Sequence, residues 1–239
     1  MAIMQNPQRV ETLVIGGGQA GLTVGYYLAR QGIPFLILDA HSRIGDAWRQ
    51  RWDSLRLFTP ARYDGLPGLR FPARGDIFPT KDQMADYLEA YAAHFNLPVR
   101  TGMKVDKLSR ENDRFVVRAG GSLFEAENVV VAMGSHQQPR VPAFARELDP
   151  TIRQLHSLDY RNPAQLKTGG VLIVGLGNSG ADIALEVART HRIWLAGKES
   201  GHVPFRIETF AGRFILVRVV RFIGHHVLTV STPIGRRLR

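Results

Sequence analysis

Residues 12–21 read TLVIGGGQAG, a short apolar run that ends abruptly in a glycine-rich turn. The next ten residues, 22–31, have the length and apolar spacing of a helix, and Gly32 follows them. Residues 34–39, PFLILD, form a second apolar run whose last residue is Asp39. This order of strand, glycine turn, helix and strand predicts one βαβ unit.

The same pattern occurs again later in the chain. Residues 171–174, VLIV, lead into GLGNSG at 175–180, a helical pattern follows over 181–189, and residues 192–195 have the composition of another strand. Two such units predict an α/β fold with two Rossmann-like dinucleotide-binding units.

The stretch between the two units predicts a small antiparallel β layer, inserted after the first unit. Gly120-Gly121 separates two of its apolar runs and indicates a hairpin. Before this layer, residues 80–83, TKDQ, have the composition of a capping box, and an apolar stripe at helical spacing follows. The predicted short strands are Val99–Leu108, Arg114–Ala119, Leu123–Ala126 and Val129–Ala132.

The polar segment 150–170, with Pro163 and a glycine pair, contains the predicted domain boundary. We expect a first domain over residues 1–165 and a second over residues 166–239. Residues 41–79 have no regular period and are rich in aromatics. This segment is either a wall around a flat ligand or a packed Ω-like excursion.

Composition excludes several classes of function. The 239 residues contain no cysteine, which excludes a disulfide framework, a thiolate metal site and a Cys nucleophile within them; no other metal site is predicted either. The formal net charge is +10, and residues 201–239 hold seven basic side chains and one acidic side chain. Because the excess charge is concentrated there, no nucleic-acid partner is expected. The N-terminal residues lack a targeting pattern, so we expect a cytoplasmic protein.

The first glycine turn has the residues that a dinucleotide requires. Gly16 permits the tight turn, and Gly18 lets a pyrophosphate approach the backbone. The start of the helix, at Gln19, Ala20 and Gly21, supplies free N–H groups and a partial positive charge to the phosphate oxygens. Asp39, after the second strand, is expected to accept hydrogen bonds from the hydroxyls of an unphosphorylated ribose, as in FAD or NAD.

The second turn differs from the first at the end of its second strand. Gly175, Gly177 and Gly180 repeat the spacing, but the strand ends in AGK, with Lys198 in place of a carboxylate. A cation there would pair with a 2′-phosphate, which favours NADPH over NADH. The alternative is that Lys198 is a solvated surface lysine.

Several further motifs carry a resemblance to a known family. In order, they are GGGQAG, the strand ending in Asp39, GDAWR at 45–49, DSLRL at 53–57, FPTK at 78–81, AMG at 132–134 and GLGNSG. Together they resemble the class B flavoprotein monooxygenases, and more narrowly a bacterial branch that carries the label of flavoproteins involved in potassium transport.

The resemblance implies a fold, two cofactors and further site residues. The first motif would bind FAD and the second NADPH, so residues 1–165 would form the FAD-binding domain and residues 166–239 the NADPH-binding domain. The further residues that it places at the cofactors are Trp48 and Arg49 beside the flavin nucleotide, the backbone of Val105 at the adenine, Ala132 and Gly134 at the strand end, and Asn178 and Ser179 at the nicotinamide nucleotide.

The chain also departs from the family pattern. The hallmark FxGxxxHSxxY corresponds to residues 150–160, which keep the His-Ser pair and Tyr160 but lack the Phe and the Gly. His156 fits either a catalytic acid or a linker histidine hydrogen-bonded between domains. Family members continue well beyond residue 239, so the resemblance implies a fragment that lacks the rest of the nicotinamide domain.

The activity implied is that of a monooxygenase with NADPH, O2 and a small organic substrate. The alternatives are an NADPH:acceptor oxidoreductase that does not oxygenate, and a non-enzymatic nucleotide-binding module associated with a membrane. Residues 214–239, apolar with interspersed arginines, predict a peripheral membrane contact or a subunit contact. No catalytic side chain is assigned.

Overall fold

The computed structural model describes residues 6–135, 138–198, 209, 211–229 and 231–233. Strand β1 (Gln8–Ile15) lies near the centre of a six-stranded sheet and is followed by helix α1 (Gln19–Arg30) and strand β2 (Phe35–Leu38). β1 pairs with β2 in parallel, in the register Ile15 to Leu38. The first predicted βαβ unit is confirmed, and α1 begins directly after Gly18, three residues earlier than the apolar pattern indicated.

Helix α2 (Asp46–Arg49) and helix α3 (Lys81–His94) belong to the next part of the chain. The capping box before α3 is present as predicted: Gln83 N donates to Thr80 Oγ1 at 3.2 Å, and Thr80 N donates to Gln83 Oε1 at 2.9 Å. The helix buries the predicted stripe at Met84, Leu88 and Tyr91.

The segment 41–79 packs into the core at several of its aromatic residues. Trp52 and Phe71 are buried in the same apolar cluster as α3, whereas Phe58 is 74% exposed. Trp48 is partly buried and packs against that cluster. At Trp52 and Phe71, therefore, the packed excursion describes the segment better than an open aromatic wall.

The remaining strands of the first unit are β3 (Val99–Arg100), β4 (Val105–Glu111), β5 (Arg114–Ala119) and β6 (Ser122–Val131). Two of the predicted boundaries are wrong. The run Val99–Leu108 breaks at Gly102, which has φ +69°, so β3 pairs with β2 in parallel and β4 pairs with β5 antiparallel. The two runs within 123–132 form one strand, because the polar pair Glu127-Asn128 is exposed and continues the backbone pairing with β1.

β6 joins the antiparallel strands to the parallel sheet. Its first half pairs antiparallel with β5, and residues 124–131 pair in parallel with β1, which gives the strand order β3-β2-β1-β6-β5-β4. The predicted hairpin at Gly120-Gly121 is confirmed, with φ of +53° and +79°. Leu13, on one face of the sheet, packs in an apolar cluster with side chains of the antiparallel strands. Val14, on the other face, packs in the apolar cluster that contains side chains of α3.

The second unit contains β7 (Gly170–Val174), α4 (Asn178–Val187) and β8 (Arg192–Ala196), and the two strands pair in parallel. The predicted α/β fold with two Rossmann-like units is therefore confirmed. The limits of the domains at residues 165 and 166 remain a prediction.

Helix α5 (Val217–His226) lies within the segment predicted to contact a membrane or a subunit. Four of its described apolar side chains are exposed, among them Val220 at 51% and Phe222 at 62%. Within the described ranges, no helix has both the length and the apolar character needed to cross a bilayer. Residues 230 and 234–239 of the predicted contact lie outside the described residues. The contact and the cytoplasmic location remain predictions.

Candidate dinucleotide-binding sites

The first glycine turn joins β1 to α1 at the carboxyl edge of the parallel strands. Gly16 has φ +108°, which glycine adopts at little cost. A Cβ on Gly16 would lie 2.6 Å from the Ala132 carbonyl oxygen, and a Cβ on Gly21 would lie 1.8 Å from the Gly16 carbonyl oxygen. Close backbone packing therefore requires glycine at both positions.

Gly18 has a different role, because its surroundings are open. Its backbone is extended, with φ −83° and ψ −169°, and within the described part of the chain a Cβ there would meet no heavy atom within 4 Å. No described side chain caps α1, whereas Thr80 caps α3. The first N–H groups of a helix have no acceptor within it. The start of α1, with Gln19 and Ala20 exposed, is therefore an open cradle that fits a pyrophosphate.

The second turn repeats this geometry. Gly175 has φ +100°, and a Cβ on Gly180 would lie 1.9 Å from the Gly175 carbonyl oxygen. Gly177 is extended and has open space at its Cβ position, as judged from the residues that the structure describes. Asn178 and Ser179 are the first residues of α4, and both are exposed. The second turn thus offers a similar open cradle at the start of a helix.

The two units differ at the ends of their second strands. Gly16 N donates to Leu38 O at 2.7 Å, and Gly175 N donates to Ala196 O at 2.8 Å, so the residue after β2 corresponds to the residue after β8. That residue is Asp39 in the first unit and glycine in the second. A Cβ on this glycine would lie 3.3 Å from Gly175 Cα. The next residue, Lys198, is exposed and directly follows the glycine that lies against Gly175.

The Asp39 carboxylate is oriented by its neighbours. Gly17 N donates to Oδ2 at 2.7 Å, and the backbone N of His41 donates to Oδ1 at 2.8 Å. His41 Nδ1 lies 3.0 Å from the same oxygen. These contacts hold the carboxylate beside the glycine turn and leave lone pairs for ribose hydroxyls. Sequence reasoning missed His41, because nothing in the pattern distinguishes it from a loop residue.

The structure places three other predicted residues, Ala132, Gly134 and Val105, near the end of β1 or near Asp39. Ala132 N donates to Ile15 O at 2.8 Å, which sets the end of β6 against the end of β1. Gly134 has φ +73° and lies two residues further on. Val105 begins β4, and the nearby Met103 N donates to the Asp39 carbonyl at 2.8 Å. These positions lie where open α/β sheets bind their ligands.

Arg49 makes contacts that its predicted role did not include. Its Nη1 donates to Ile44 O at 2.7 Å, and its Nη2 donates to Asp86 Oδ1 at 2.8 Å and to Glu89 Oε2 at 3.0 Å. A hydrogen bond from Arg43 lowers the pKa of Glu89, and Arg49 acts in the same direction. The Arg49 guanidinium therefore joins α2 to α3, and its contact with the flavin nucleotide remains a prediction.

Two buried ionisable groups near this segment also escaped the sequence reasoning. Lys81 is 7% exposed, and its Nζ donates to Arg49 O at 3.1 Å and to Asp82 Oδ1 at 2.9 Å. Asp64 accepts a hydrogen bond from Thr59 through Oδ1, while its buried Oδ2 has no partner among the described residues. Burial raises the pKa of Asp64. The sequence signal for Lys81 was its place in the FPTK motif, and that for Asp64 was its place in an irregular, aromatic-rich segment.

The fold and the two turns define an oxidoreductase architecture with two dinucleotide-binding units. Residues 13–203 match the family of pyridine nucleotide-disulphide oxidoreductases. The chain is 32% identical to the flavin-containing monooxygenase from Stenotrophomonas maltophilia, with a TM-score of 0.79 over 95% of this chain and 70% of that one. The chain therefore belongs to the pyridine nucleotide-disulphide oxidoreductase family, within its flavin monooxygenases, as the motifs predicted.

Two curated relatives extend this comparison. An uncharacterized CzcO-like oxidoreductase of Geobacillus kaustophilus is 46% identical over 199 residues, which are 83% of this chain and 57% of that protein. The indole-3-pyruvate monooxygenase YUCCA1 of Oryza sativa is 34% identical over 181 residues, which are 74% of this chain and 45% of that protein. The chain thus spans about half the length of the curated relatives that it matches.

Proposed function

We propose that this chain provides the two dinucleotide-binding units of an NADPH-dependent, FAD-containing monooxygenase that acts on a small organic substrate and O2. FAD binds at the turn of residues 16–21 and NADPH at the turn of residues 175–180. The observation that carries the proposal is the repeated open cradle, followed by Asp39 in the first unit and by Gly197-Lys198 in the second. A carboxylate selects an unphosphorylated ribose, whereas a lysine pairs with a 2′-phosphate.

The residues of the chain bind and orient the cofactors. The chemistry that a bound flavin would supply is hydride transfer from the nicotinamide and activation of O2. The N–H groups at the start of α1 and α4 hold the two pyrophosphates, and Asp39 holds the ribose of FAD. Trp48 and the backbone of Val105 contact the flavin nucleotide, and Asn178 and Ser179 contact the nicotinamide nucleotide. The relatives named for monooxygenase activity support the proposed reaction.

Rapid mixing with O2 tests the proposed reaction. We expect the flavin-loaded protein, once reduced by NADPH, to give an absorbance spectrum that matches neither oxidised nor reduced flavin and that persists before the oxidised spectrum returns. Immediate return of the oxidised spectrum with stoichiometric hydrogen peroxide would instead identify an NADPH:acceptor oxidoreductase. Colourless purified protein that takes up no added FAD would favour the non-enzymatic alternative.

Lys198→Ala is expected to change the cofactor preference. A charge-assisted hydrogen bond to a 2′-phosphate contributes about 1.5–3 kcal/mol, so the variant should bind NADPH roughly ten- to a hundredfold more weakly and NADH almost unchanged. The measurement is the rate of flavin reduction against the concentration of each cofactor, at fixed salt.

Arg192→Ala provides the matched control for Lys198→Ala. Arg192 lies at the opposite end of β8, where its guanidinium lies 5.1 Å from the centre of the Trp194 ring. Its replacement by alanine removes the same charge from the protein as Lys198→Ala does. We expect Arg192→Ala to leave both cofactors unaffected. An equal loss for NADPH and NADH in Lys198→Ala would show that the lysine is structural.

A further inference from the structure

The segment that links the two units is fastened to both of them. Tyr160 is 3% exposed, and its hydroxyl donates to Glu186 Oε2 of α4 at 2.7 Å. The next two residues contact the first unit: Asp53 N donates to Arg161 O at 2.7 Å, and Asn162 Nδ2 donates to Asp53 Oδ2 at 2.6 Å. Three consecutive residues of the linker thus connect Asp53, four residues after the end of α2, to the second unit.

The contact between Tyr160 and Glu186 is a partly buried, charge-assisted hydrogen bond. Burial, together with the Glu186 and Asp53 carboxylates, raises the pKa of Tyr160, so the phenol keeps the proton that it donates. Glu186 also lies one helical turn after Asp182, and burial and Glu186 raise the pKa of Asp182. The Tyr160 hydroxyl therefore donates to a carboxylate that has a second carboxylate one helical turn away.

The part of the linker that precedes Tyr160 forms a hydrogen-bonded turn over residues 156–160. Leu158 N donates to His156 Nδ1 at 3.2 Å, and Tyr160 N donates to His156 O at 3.0 Å. His156 thus closes the turn that presents Tyr160, and both of these hydrogen bonds lie within the linker. Arg161 Nη1 donates to Leu158 O at 2.8 Å and strengthens the same turn.

The position of Glu186 on α4 relates this contact to the second nucleotide site. Glu186 lies eight residues after Asn178, which is about 12 Å along the helix. Ile183 and Val187, on the same helix, belong to the apolar cluster that contains Trp52 of the first unit. Apolar packing is not directional, whereas a hydrogen bond is, so the contact with Tyr160 restricts the orientation of α4 in a way that the apolar cluster does not.

We propose that Tyr160 and Glu186, with Asp53 and Asn162, are positioning residues that hold α4 in one orientation against the first unit. This inference rests on the proposed function, because the role given to the hydrogen bond between Tyr160 and Glu186 is to align a nucleotide bound at Gly177 with a nucleotide bound at Gly18. Transfer between two bound groups depends steeply on their separation and angle. A change in the orientation of α4 therefore slows transfer and leaves the affinity of each nucleotide unchanged.

Tyr160→Phe removes the hydrogen bond and keeps the apolar ring. We expect the limiting rate of flavin reduction at saturating NADPH to fall roughly ten- to a hundredfold. The FAD content and the Kd for NADPH should remain within about twofold of the values for the unaltered protein. This separation of rate from affinity distinguishes a positioning residue from a residue that binds a cofactor.

Two further variants and a second readout complete the test. Tyr87→Phe is the matched control, since Tyr87 is 2% exposed and its hydroxyl donates to Leu69 O at 2.8 Å within the first unit. Glu186→Gln retains an oxygen acceptor for Tyr160 and should keep most of the reduction rate. Without added cofactor, Tyr160→Phe should show faster tryptic cleavage after Lys167 and faster amide exchange in α4 than Tyr87→Phe.

The outcomes separate this inference from the proposed function. Unchanged reduction, cleavage and exchange in Tyr160→Phe would overturn the inference. So would an equal loss in Tyr87→Phe, which would indicate general destabilisation. If the unaltered protein is not reduced by NADPH, the proposed function fails, and cleavage and exchange alone still decide whether Tyr160 holds α4.

Discussion

Gly18→Ala is expected to abolish FAD retention while leaving the fold intact. The Gly18 backbone is extended, a conformation that alanine adopts freely, and among the described atoms a Cβ there has no neighbour within 4 Å. The substitution should therefore change the free energy of unfolding of the flavin-free protein by no more than about 0.5 kcal/mol. The same methyl group would occupy the space into which the pyrophosphate must fit.

The measurement is the ratio of flavin to protein after purification and after incubation with added FAD. We expect this ratio to fall close to zero in the variant, with the circular dichroism spectrum and the melting temperature of the flavin-free form retained. Gly21→Ala offers the contrast, because its Cβ would lie 1.8 Å from the Gly16 carbonyl oxygen and should destabilise the fold itself. An unaltered flavin ratio in Gly18→Ala would rule out the first turn as the FAD site.

Gly177→Ala is expected to abolish reduction by NADPH and to leave FAD bound. Gly177 repeats the extended backbone and the open Cβ position of Gly18, again as judged within the described ranges. The added methyl group should block the pyrophosphate of the nicotinamide cofactor and disturb nothing else. Reduction by NADPH should fall at least a hundredfold, while dithionite, which needs no nucleotide site, should reduce the flavin as before.

The two alanine variants are controls for each other. Gly18→Ala should lose flavin, and Gly177→Ala should keep it, although both place one methyl group at the start of a helix. Loss of FAD in both variants would indicate that the units are not independent binding sites. Normal NADPH reduction in Gly177→Ala would place the nicotinamide cofactor away from the second turn.

The local features of the fold were predictable from the sequence. The glycine turns, the capping box before α3 and the hairpin at Gly120-Gly121 each depend on residues that are neighbours in the chain. Their conformations follow from steric limits and short-range hydrogen bonds, such as the positive φ of Gly16 and of Gly175. For that reason the α/β class, the two units and the family could be predicted before the structure.

The pairing of distant segments was decided by the tertiary structure. The polar pair Glu127-Asn128 looked like a break between two strands, but β6 continues through it because β1 supplies the partner for its backbone. The predicted strand over Val99–Leu108 looked continuous, but its two ends pair with different strands. A local pattern describes which side chains are apolar, and it does not describe which backbone will be available to pair.

The side-chain contacts at the site were also decided by the tertiary structure. Arg49 is directed towards α3 by carboxylates almost forty residues away in the chain, and the contact of Tyr160 with Glu186 joins the linker to the second unit. The sequence by itself determined the two nucleotide turns, since backbone geometry requires glycine at residues 16, 21, 175 and 180. Only the folded chain determined which charges meet, because such contacts depend on how whole elements pack and not on the residues beside them.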